Sequence, residues 1–186
     1  MDQQVRDTAG QGAALRPVHL VVLGAAGTGK TTIGRALAEL LGLPFGEGDD
    51  FHSEANRTKM AAGQALTDED RWPWLRDLAG WLGEQDRAGS CSVLTCSALR
   101  RPYRDLLREG APGVYFVHLV GDKSLLLERM QSRQDHFMPP ELLESQLDTL
   151  EPLEDDERGV LVDVANPPER IGRIVMAQLD QTSRWP

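Results

Sequence analysis

Short apolar runs and longer amphipathic segments alternate along this chain, and the two patterns predict different elements. The short runs are typical of buried strands and cover residues 18–23, 43–45, 92–96, 114–120 and 160–164. The segments between them predict helices over residues 32–41, 52–62, 67–85, 99–109, 122–133, 139–150 and 169–180. Strands that alternate with helices favour βαβ units. We therefore expect an α/β fold with a parallel five-stranded sheet and helices on both faces.

Local signals also predict where several helices begin and end. Thr67 followed three residues later by Asp70 has the spacing of a capping box, so a helix is expected to start after Thr67, with Pro73 near its beginning. Gly42 and Gly63 stand just after two of the amphipathic segments and are expected to stop those helices.

Length and charge limit the classes of protein that this chain can represent. With 186 residues it fits one domain, which we expect at residues 17–182, after a polar, aperiodic segment at residues 1–16 that predicts a disordered tail. The net charge of -9 argues against general binding of nucleic acid or anionic membranes. It is compatible with a small anionic substrate, because a loop and a few arginines can build a local positive site.

The chain has two cysteines, Cys91 and Cys96, at or beside one predicted strand. Five residues apart on a strand, they should point to opposite faces, so a disulfide between them is not expected. They also lack the C-x-x-C spacing of a metal site. Two reduced cysteines predict a cytoplasmic protein.

A glycine-rich loop between the first strand and the first helix carries the clearest chemical signal. Residues 24–31 match the phosphate-loop pattern G-x-x-x-x-G-K-[ST] at every fixed position. A strand, such a loop and a helix start aim backbone N–H groups at one anion. Lys30 is expected to reach the β- and γ-phosphates of ATP, and the Thr31 hydroxyl to bind Mg²⁺. The expected ATP-binding residues are Gly24, Ala26, Gly27, Thr28, Gly29, Lys30, Thr31 and Thr32.

Acidic residues follow the second predicted strand, at the sheet edge where open α/β sheets bind ligands. A carboxylate of Asp49 or Asp50 could accept a proton from a substrate hydroxyl or contact Mg²⁺ through water. Either residue could instead be a helix N-cap. Residue types leave the division of roles between the two open. We take Asp49 as the candidate for both the base and the metal contact.

Arginines form two further groups, each placed after a predicted strand. Four arginines lie between residues 100 and 108, and most are expected to be solvated; Arg104 is favoured as the one that reaches the site, because a guanidinium can grip a carboxylate or phosphate with two hydrogen bonds. Arg129 and Arg133 share one helix face. They predict a helical lid, around residues 130–138, that neutralises charge on the transferred phosphoryl group.

Motifs of the larger nucleotide-hydrolysing classes are missing. The third predicted strand ends in Cys96 and Ser97, where many phosphate-loop ATPases have an aspartate, and there is no Asn-Lys-x-Asp guanine-binding motif. Both observations weaken the motor-ATPase and GTPase interpretations.

The motifs together resemble the gluconate kinases (gluconokinases), small phosphate-loop kinases related to shikimate and adenylate kinases. The resemblance spans residues 18–179 and rests on the following motifs: Gly48-Asp49-x-x-His52-x-x-x-Asn56-x-x-Lys59-Met60, Leu66-Thr67-Asp68-Glu69-Asp70-Arg71-Trp72-Pro73-Trp74-Leu75, Cys96-Ser97-Ala98-Leu99 before Tyr103-Arg104-Asp105, His136-Phe137-Met138, and Ser145-Gln146-Leu147-Asp148-Thr149-Leu150-Glu151-Pro152. Ser53 and Ala65 stand where the family usually has proline. Both departures concern loop stiffness.

This resemblance implies ATP-dependent, Mg²⁺-dependent phosphorylation of D-gluconate to 6-phospho-D-gluconate by an adenylate-kinase-like phosphate-loop fold, and a homodimer. It implies that the loop at residues 166–168 borders the adenine. The residues implied to face the sugar acid are Asp49, His52, Lys59, Arg71, Arg104, His136 and Gln146. Arg71 and Arg104 are alternatives for its carboxylate, with Lys59 or His52 next.

Three other interpretations compete with this one. The nearest is a kinase for another small metabolite, such as shikimate. A non-catalytic nucleotide-binding regulator is disfavoured by the combination of Lys30, Thr31, Asp49 and the lid arginines. A nucleic-acid-processing ATPase is disfavoured by the acidic composition and the lack of an aromatic–basic stripe.

Overall fold

The computed structural model describes residues 17–132 and 140–181. Its strands are β1 (His19–Leu23), β2 (Phe45–Glu47), β3 (Ser92–Thr95), β4 (Val114–Val120) and β5 (Gly159–Asp163). Its α-helices are α1 (Lys30–Leu41), α2 (Glu54–Ala61), α3 (Asp68–Arg87), α4 (Arg101–Gly110), α5 (Lys123–Gln131), α6 (Pro140–Thr149) and α7 (Pro168–Gln181), with a 3-10 helix at Gly48–Phe51. The tail expected at residues 1–16 lies outside the described residues.

The five strands form one parallel sheet in the order β2-β3-β1-β4-β5. β1 is central: Val21 pairs with Leu94 on β3 and with Phe116 on β4. All the carboxyl ends therefore meet at one edge, where the loops after β1, β2 and β3 come together. The expected fold class is confirmed.

Helices cover both faces of the sheet, as the pattern predicted. One apolar cluster packs Leu20 and Val22 of β1 against α1, α5, α6 and α7. The other packs Val21 and Leu23 against α3 and α4. Alternate residues of the central strand thus pack in different cores, which is why residues 20–23 of β1 are all apolar.

The local helix signals are confirmed, whereas the predicted bounds of the second strand are wrong. The Thr67 side chain accepts from the Asp70 N–H at 3.3 Å and Asp70 accepts from the Thr67 N–H at 3.0 Å, so the capping box is confirmed. The second strand is Phe45–Glu47, not residues 43–45. Pairing decides this difference, because β3 sets the register through Phe45 opposite Val93.

One histidine of the sheet has no hydrogen-bond partner for either ring nitrogen among the described residues. His118 of β4 is 1% exposed, and both nitrogens are buried. Burial lowers the pKa of His118 to about 4; the positive charge of Arg104 adds to that lowering, and Glu157 opposes it. The ring is therefore neutral in the folded protein at neutral pH.

This histidine predicts an acid-sensitive stability. Above the unfolded pKa of about 6.5 the ring is neutral in both states; below it only the unfolded chain binds the proton, until the folded pKa is reached. We expect His118 to remove about 2 kcal/mol from the free energy of unfolding between pH 7 and pH 5. Urea denaturation at both pH values should show this loss in the wild type and a smaller one in His118→Leu. Equal losses would contradict the prediction.

Candidate active site

The glycine-rich loop leads directly into α1. Gly29 is the N-cap residue of that helix at φ 84°, a left-handed conformation that suits glycine, and Lys30 is the first helical residue. Ala26, Gly27, Gly29, Lys30 and Thr31 line one side of a cleft at the carboxyl edge of the sheet. The first turn of α1 thus points its N–H groups at this cleft.

Polar contacts shape the loop. Lys30 Nζ donates to the Ala25 carbonyl at 3.1 Å, and the buried Thr28 hydroxyl donates to the same carbonyl at 2.8 Å. On the cleft side, the Ala26 N–H donates to Oε1 of Gln146 at 2.7 Å. Since the N–H can only donate, the amide oxygen of Gln146 faces the loop. Its NH₂ group is directed away from that N–H.

Both acidic residues after β2, Asp49 and Asp50, lie in the 3-10 helix at Gly48–Phe51. Asp49 lines the cleft, together with His52. Both aspartates are exposed, but Asp50 is not among the cleft-lining residues; its backbone carbonyl accepts from Arg57 at 2.6 Å. The geometry therefore favours Asp49 over Asp50 for chemistry in the cleft.

The electrostatics around Cys96 place opposite charges near one buried point. Burial raises the pKa of the Cys96 thiol far above its usual range; the charge of Asp49 raises it further and that of Lys30 lowers it. A carboxylate and an ammonium group thus act on the same atom. The described residues contain no group of three or more His, Cys, Asp or Glu side chains that could hold a metal. Asp49 and the Thr31 hydroxyl nevertheless fit Mg²⁺, which commonly binds through one or two protein oxygens together with substrate phosphates.

His52 is held firmly in the wall of the cleft. Its ring stacks on Trp74 at 4.3 Å between centroids, and Nδ1 lies 3.5 Å from Nδ2 of the buried Asn56. Burial lowers the pKa of His52; the carboxylate of Asp49 opposes this, and Arg57 and Arg71 reinforce it. A neutral ring whose Nδ1 accepts from Asn56 leaves Nε2–H as a donor.

Arg71 also lines the cleft, beside Tyr103. Arg71 Nη1 lies 3.3 Å from the Asp68 carboxylate and 3.3 Å from the Tyr103 hydroxyl oxygen. The Tyr103 hydroxyl itself donates to Asp68. A guanidinium is thus fixed at a position that an anionic part of a substrate can reach.

The structure contradicts the expectation that Arg104 faces the substrate. It is fully buried, away from the cleft lining, and all five of its N–H donors are used. Nε and Nη2 donate to the Glu157 carboxylate at 2.6 and 2.8 Å. The other donors bind the carbonyls of Leu99, Glu151 and Pro152. Arg104 therefore fixes the chain between α6 and β5.

The partner of Arg104 is held as an ion. Burial alone would raise the pKa of Glu157, but the hydrogen bonds from Arg104 and from the Glu154 N–H, together with the charges of Arg104 and Arg101, keep that pKa below its usual range. Arg104→Met should therefore lower the free energy of unfolding by about 3–5 kcal/mol, since it leaves a buried carboxylate unpaired. Urea denaturation measures this loss. The half-exposed Arg108 is the control, where Arg108→Met should cost at most about 1 kcal/mol. A loss at Arg104 no larger than at Arg108 would contradict the prediction.

Two other expected site residues lie apart from the cleft lining. Lys59 Nζ is bound to the Asp70 carboxylate at 2.7 Å and so supports the capping box of α3. Arg129 Nη2 donates to the Val164 carbonyl at 2.8 Å, just after β5, not to the glycine-rich loop. Both side chains satisfy a neighbouring protein oxygen, which the sequence does not reveal.

Of the remaining predicted site residues, some line the cleft and others do not. Gln146 lines the cleft; Gly24, Thr28 and Thr32 are not among its lining residues. A Cβ at Gly24 would lie 2.6 Å from the Leu119 carbonyl, so this glycine lets the loop approach β4. Arg133, His136 and most of the predicted lid lie outside the described residues.

Several cleft residues were not singled out by sequence reasoning. Trp74 supports His52 and donates from Nε1 to the Gly48 carbonyl at 2.7 Å, and Tyr103 places its ring beside Arg71. Thr149 on α6 also lines the cleft. Both aromatic residues lie within the motifs quoted above. Their position within these motifs is the sequence signal that could have identified them as cleft residues.

Comparisons with known proteins give a consistent family. A family model described as an AAA domain matches residues 20–146. A gluconokinase of Gluconobacter oxydans (strain 621H) is 50% identical over 155 residues, which are 83% of this chain and 87% of that protein. The thermosensitive gluconokinase of Escherichia coli (strain K12) is 41% identical over 84% of this chain and 87% of its own length.

Solved structures that resemble this chain belong to the same class of kinase as these relatives. An unliganded sugar kinase from Janibacter sp. HTCC2649 is 51% identical with a TM-score of 0.84, covering 88% of this chain and 95% of that one. A gluconokinase from Sinorhizobium meliloti 1021 is 48% identical with a TM-score of 0.80, covering 89% and 93%. Within the described ranges, none of the helices combines the length and apolar character needed to cross a membrane.

Proposed function

Because the chain belongs to the gluconokinase family, we propose that it transfers the terminal phosphoryl group of ATP to the 6-hydroxyl of D-gluconate, giving 6-phospho-D-gluconate and ADP. One observation carries the proposal. A single cleft joins a phosphate-binding loop, a carboxylate and a guanidinium, through Lys30, Asp49 and Arg71. These are the groups that ATP, an attacking hydroxyl and a sugar carboxylate require.

Phosphoryl transfer depends mainly on positioning and on neutralising charge. The N–H groups of residues 29–31 and the Lys30 ammonium bind the ATP phosphates. Asp49 accepts the proton of the 6-hydroxyl as that oxygen attacks the γ-phosphorus. The neutral His52 donates from Nε2 to an oxygen of the acceptor, and Gln146 offers its NH₂ group from beside the glycine-rich loop.

Mg²⁺ is proposed as the cofactor. Thr31 and Asp49 are the residues that would hold it, Asp49 through water. When bound with ATP, the ion neutralises part of the phosphate charge. Arg133 and His136 remain predicted for the phosphates and the sugar acid. Arg129 is proposed for the edge of the nucleotide site, given its bond to the loop after β5.

The homodimer and the cytoplasmic location stay predictions. Sedimentation of the purified protein would measure the first. Localisation of the tagged chain in cells would measure the second.

An acceptor panel tests the proposed function. The purified protein, with ATP and Mg²⁺, is assayed for ADP release with D-gluconate, shikimate, D-glucitol and no acceptor. We expect turnover that requires gluconate and a phosphorylated product that is acid-stable. Faster turnover with shikimate would support a different small-metabolite kinase. No turnover with any acceptor would favour a nucleotide-binding regulator.

A further inference from the structure

Four side chains at one wall of the cleft, those of Asp68, Arg71, Arg100 and Tyr103, are joined by hydrogen bonds. Asp68 Oδ1 accepts from the Tyr103 hydroxyl and, at 3.3 Å, from Arg71 Nη1. Asp68 Oδ2 accepts from Arg100 Nη1 at 2.7 Å. Arg71 Nη1 lies equally close to the Tyr103 oxygen. Asp68 is thus the common acceptor of two guanidiniums and a phenol.

The Tyr103 ring is fixed by its neighbours. The Trp72 ring packs against it in a T-shaped arrangement, with 5.3 Å between the ring centroids and 83° between the ring planes. The guanidiniums of Arg71 and Arg100 lie 5.8 and 5.6 Å from the centroid of the Tyr103 ring. The ring is buried, and burial together with the bond to Asp68 raises the pKa of its hydroxyl. The hydroxyl therefore stays protonated and donates to Asp68, while its oxygen can accept from Arg71.

The guanidinium of Arg71 retains N–H donors that a ligand can use. Nη1 is taken by Asp68 and Tyr103, while Nε and Nη2 have no hydrogen-bond partner among the described residues. Of this set, Arg71 and Tyr103 line the cleft, whereas Asp68 and Arg100 do not. A guanidinium anchored through one nitrogen and open at the other two can grip a carboxylate with two hydrogen bonds.

We propose that Asp68 and Tyr103 are positioning residues that make this site selective for an acceptor with a carboxylate, by holding Arg71 through Nη1 so that its remaining N–H groups face the acceptor. The inference rests on the proposed function, in which the acceptor is a sugar acid. It assigns Arg71, not Arg104, to the carboxylate. It also gives Tyr103 a role beyond packing.

Product inhibition by two matched compounds tests this positioning. 6-Phosphogluconate and glucitol 6-phosphate have the same chain length and phosphate, and only the first has a carboxylate. Their inhibition constants against gluconate are measured for the wild type, Arg71→Lys, Tyr103→Phe and Asp68→Asn. Asp77→Asn, at an exposed position of α3, and Tyr115→Phe, on β4 outside the cleft, are the matched controls.

We expect Arg71→Lys to weaken inhibition by 6-phosphogluconate about tenfold, the scale of a charged hydrogen bond. Tyr103→Phe and Asp68→Asn should weaken that inhibition about three- to tenfold. Inhibition by glucitol 6-phosphate should stay close to wild type throughout, as should both constants in the controls. A merely structural role would change both constants together and would overturn the inference, as would no change in either.

Tighter binding of 6-phosphogluconate to Asp68→Asn would also overturn it, because Asp68 would then act only as a competing negative charge. Wild-type turnover with gluconate is measured in the same preparations. Its absence would reject the proposed function itself and the inference with it. Gluconate turnover with unaltered discrimination in the variants would reject the inference alone.

Discussion

Asp49→Asn should lower kcat by roughly 10²–10⁴-fold, the range for losing a general base, because the amide keeps the shape of the carboxylate but cannot take the proton of the attacking hydroxyl. Binding of ATP, measured by titration without acceptor, should survive. The rate is measured with both substrates saturating, so that a weakened acceptor site does not imitate the loss.

The neighbouring residue supplies the control for this prediction. Asp50→Asn makes the same chemical change one position along the chain, outside the cleft lining. It should leave kcat near the wild-type value. The reverse result, with Asp50→Asn inactive and Asp49→Asn mildly affected, would transfer the base to Asp50.

Lys30→Ala should reduce turnover by on the order of 10²-fold or more, the scale for removing one preorganised charge donor from the reacting group. The fold should remain, because Lys30 is the first residue of α1 and its side chain faces the cleft. Initial rates at saturating gluconate, together with thermal unfolding, separate lost chemistry from lost structure.

Arg35→Ala is the matched control for the lysine. Arg35 lies on the exposed side of the same helix, with its guanidinium 4.9 Å from the Phe45 ring centroid. Its removal should change stability slightly and turnover little. Near-normal turnover in a folded Lys30→Ala protein would remove the glycine-rich loop from the mechanism.

The parts of this molecule that the sequence predicted are those specified by neighbouring residues. The capping box of Thr67 and Asp70, the stop at Gly42 and the glycine-rich loop each depend on a few consecutive positions. The fourth strand was predicted with the same limits that it has in the structure, because its apolar run is long and ends at turns.

The roles of the arginines could not be predicted in that way. The residues next to Arg71 and Arg104 in the sequence do not indicate which of the two reaches the cleft. What separates them is Glu157, which lies 53 positions after Arg104 and meets it in the core. Lys59 and Asp70 pair across 11 positions for the same kind of reason. An ion pair formed by tertiary packing leaves no mark on the chain near either partner.

The place of β1 in the sheet has a consequence for how the chain must fold. β1 is the first strand to leave the ribosome, but its hydrogen-bonding neighbours are β3 and β4, whose residues are made much later. Until residues 114–120 have emerged, the nascent chain holds a largely apolar strand with an open edge. The nucleotide-binding loop follows directly from that strand. Its geometry is therefore acquired late in synthesis, and chaperones that shield apolar segments have the longest opportunity to act on β1.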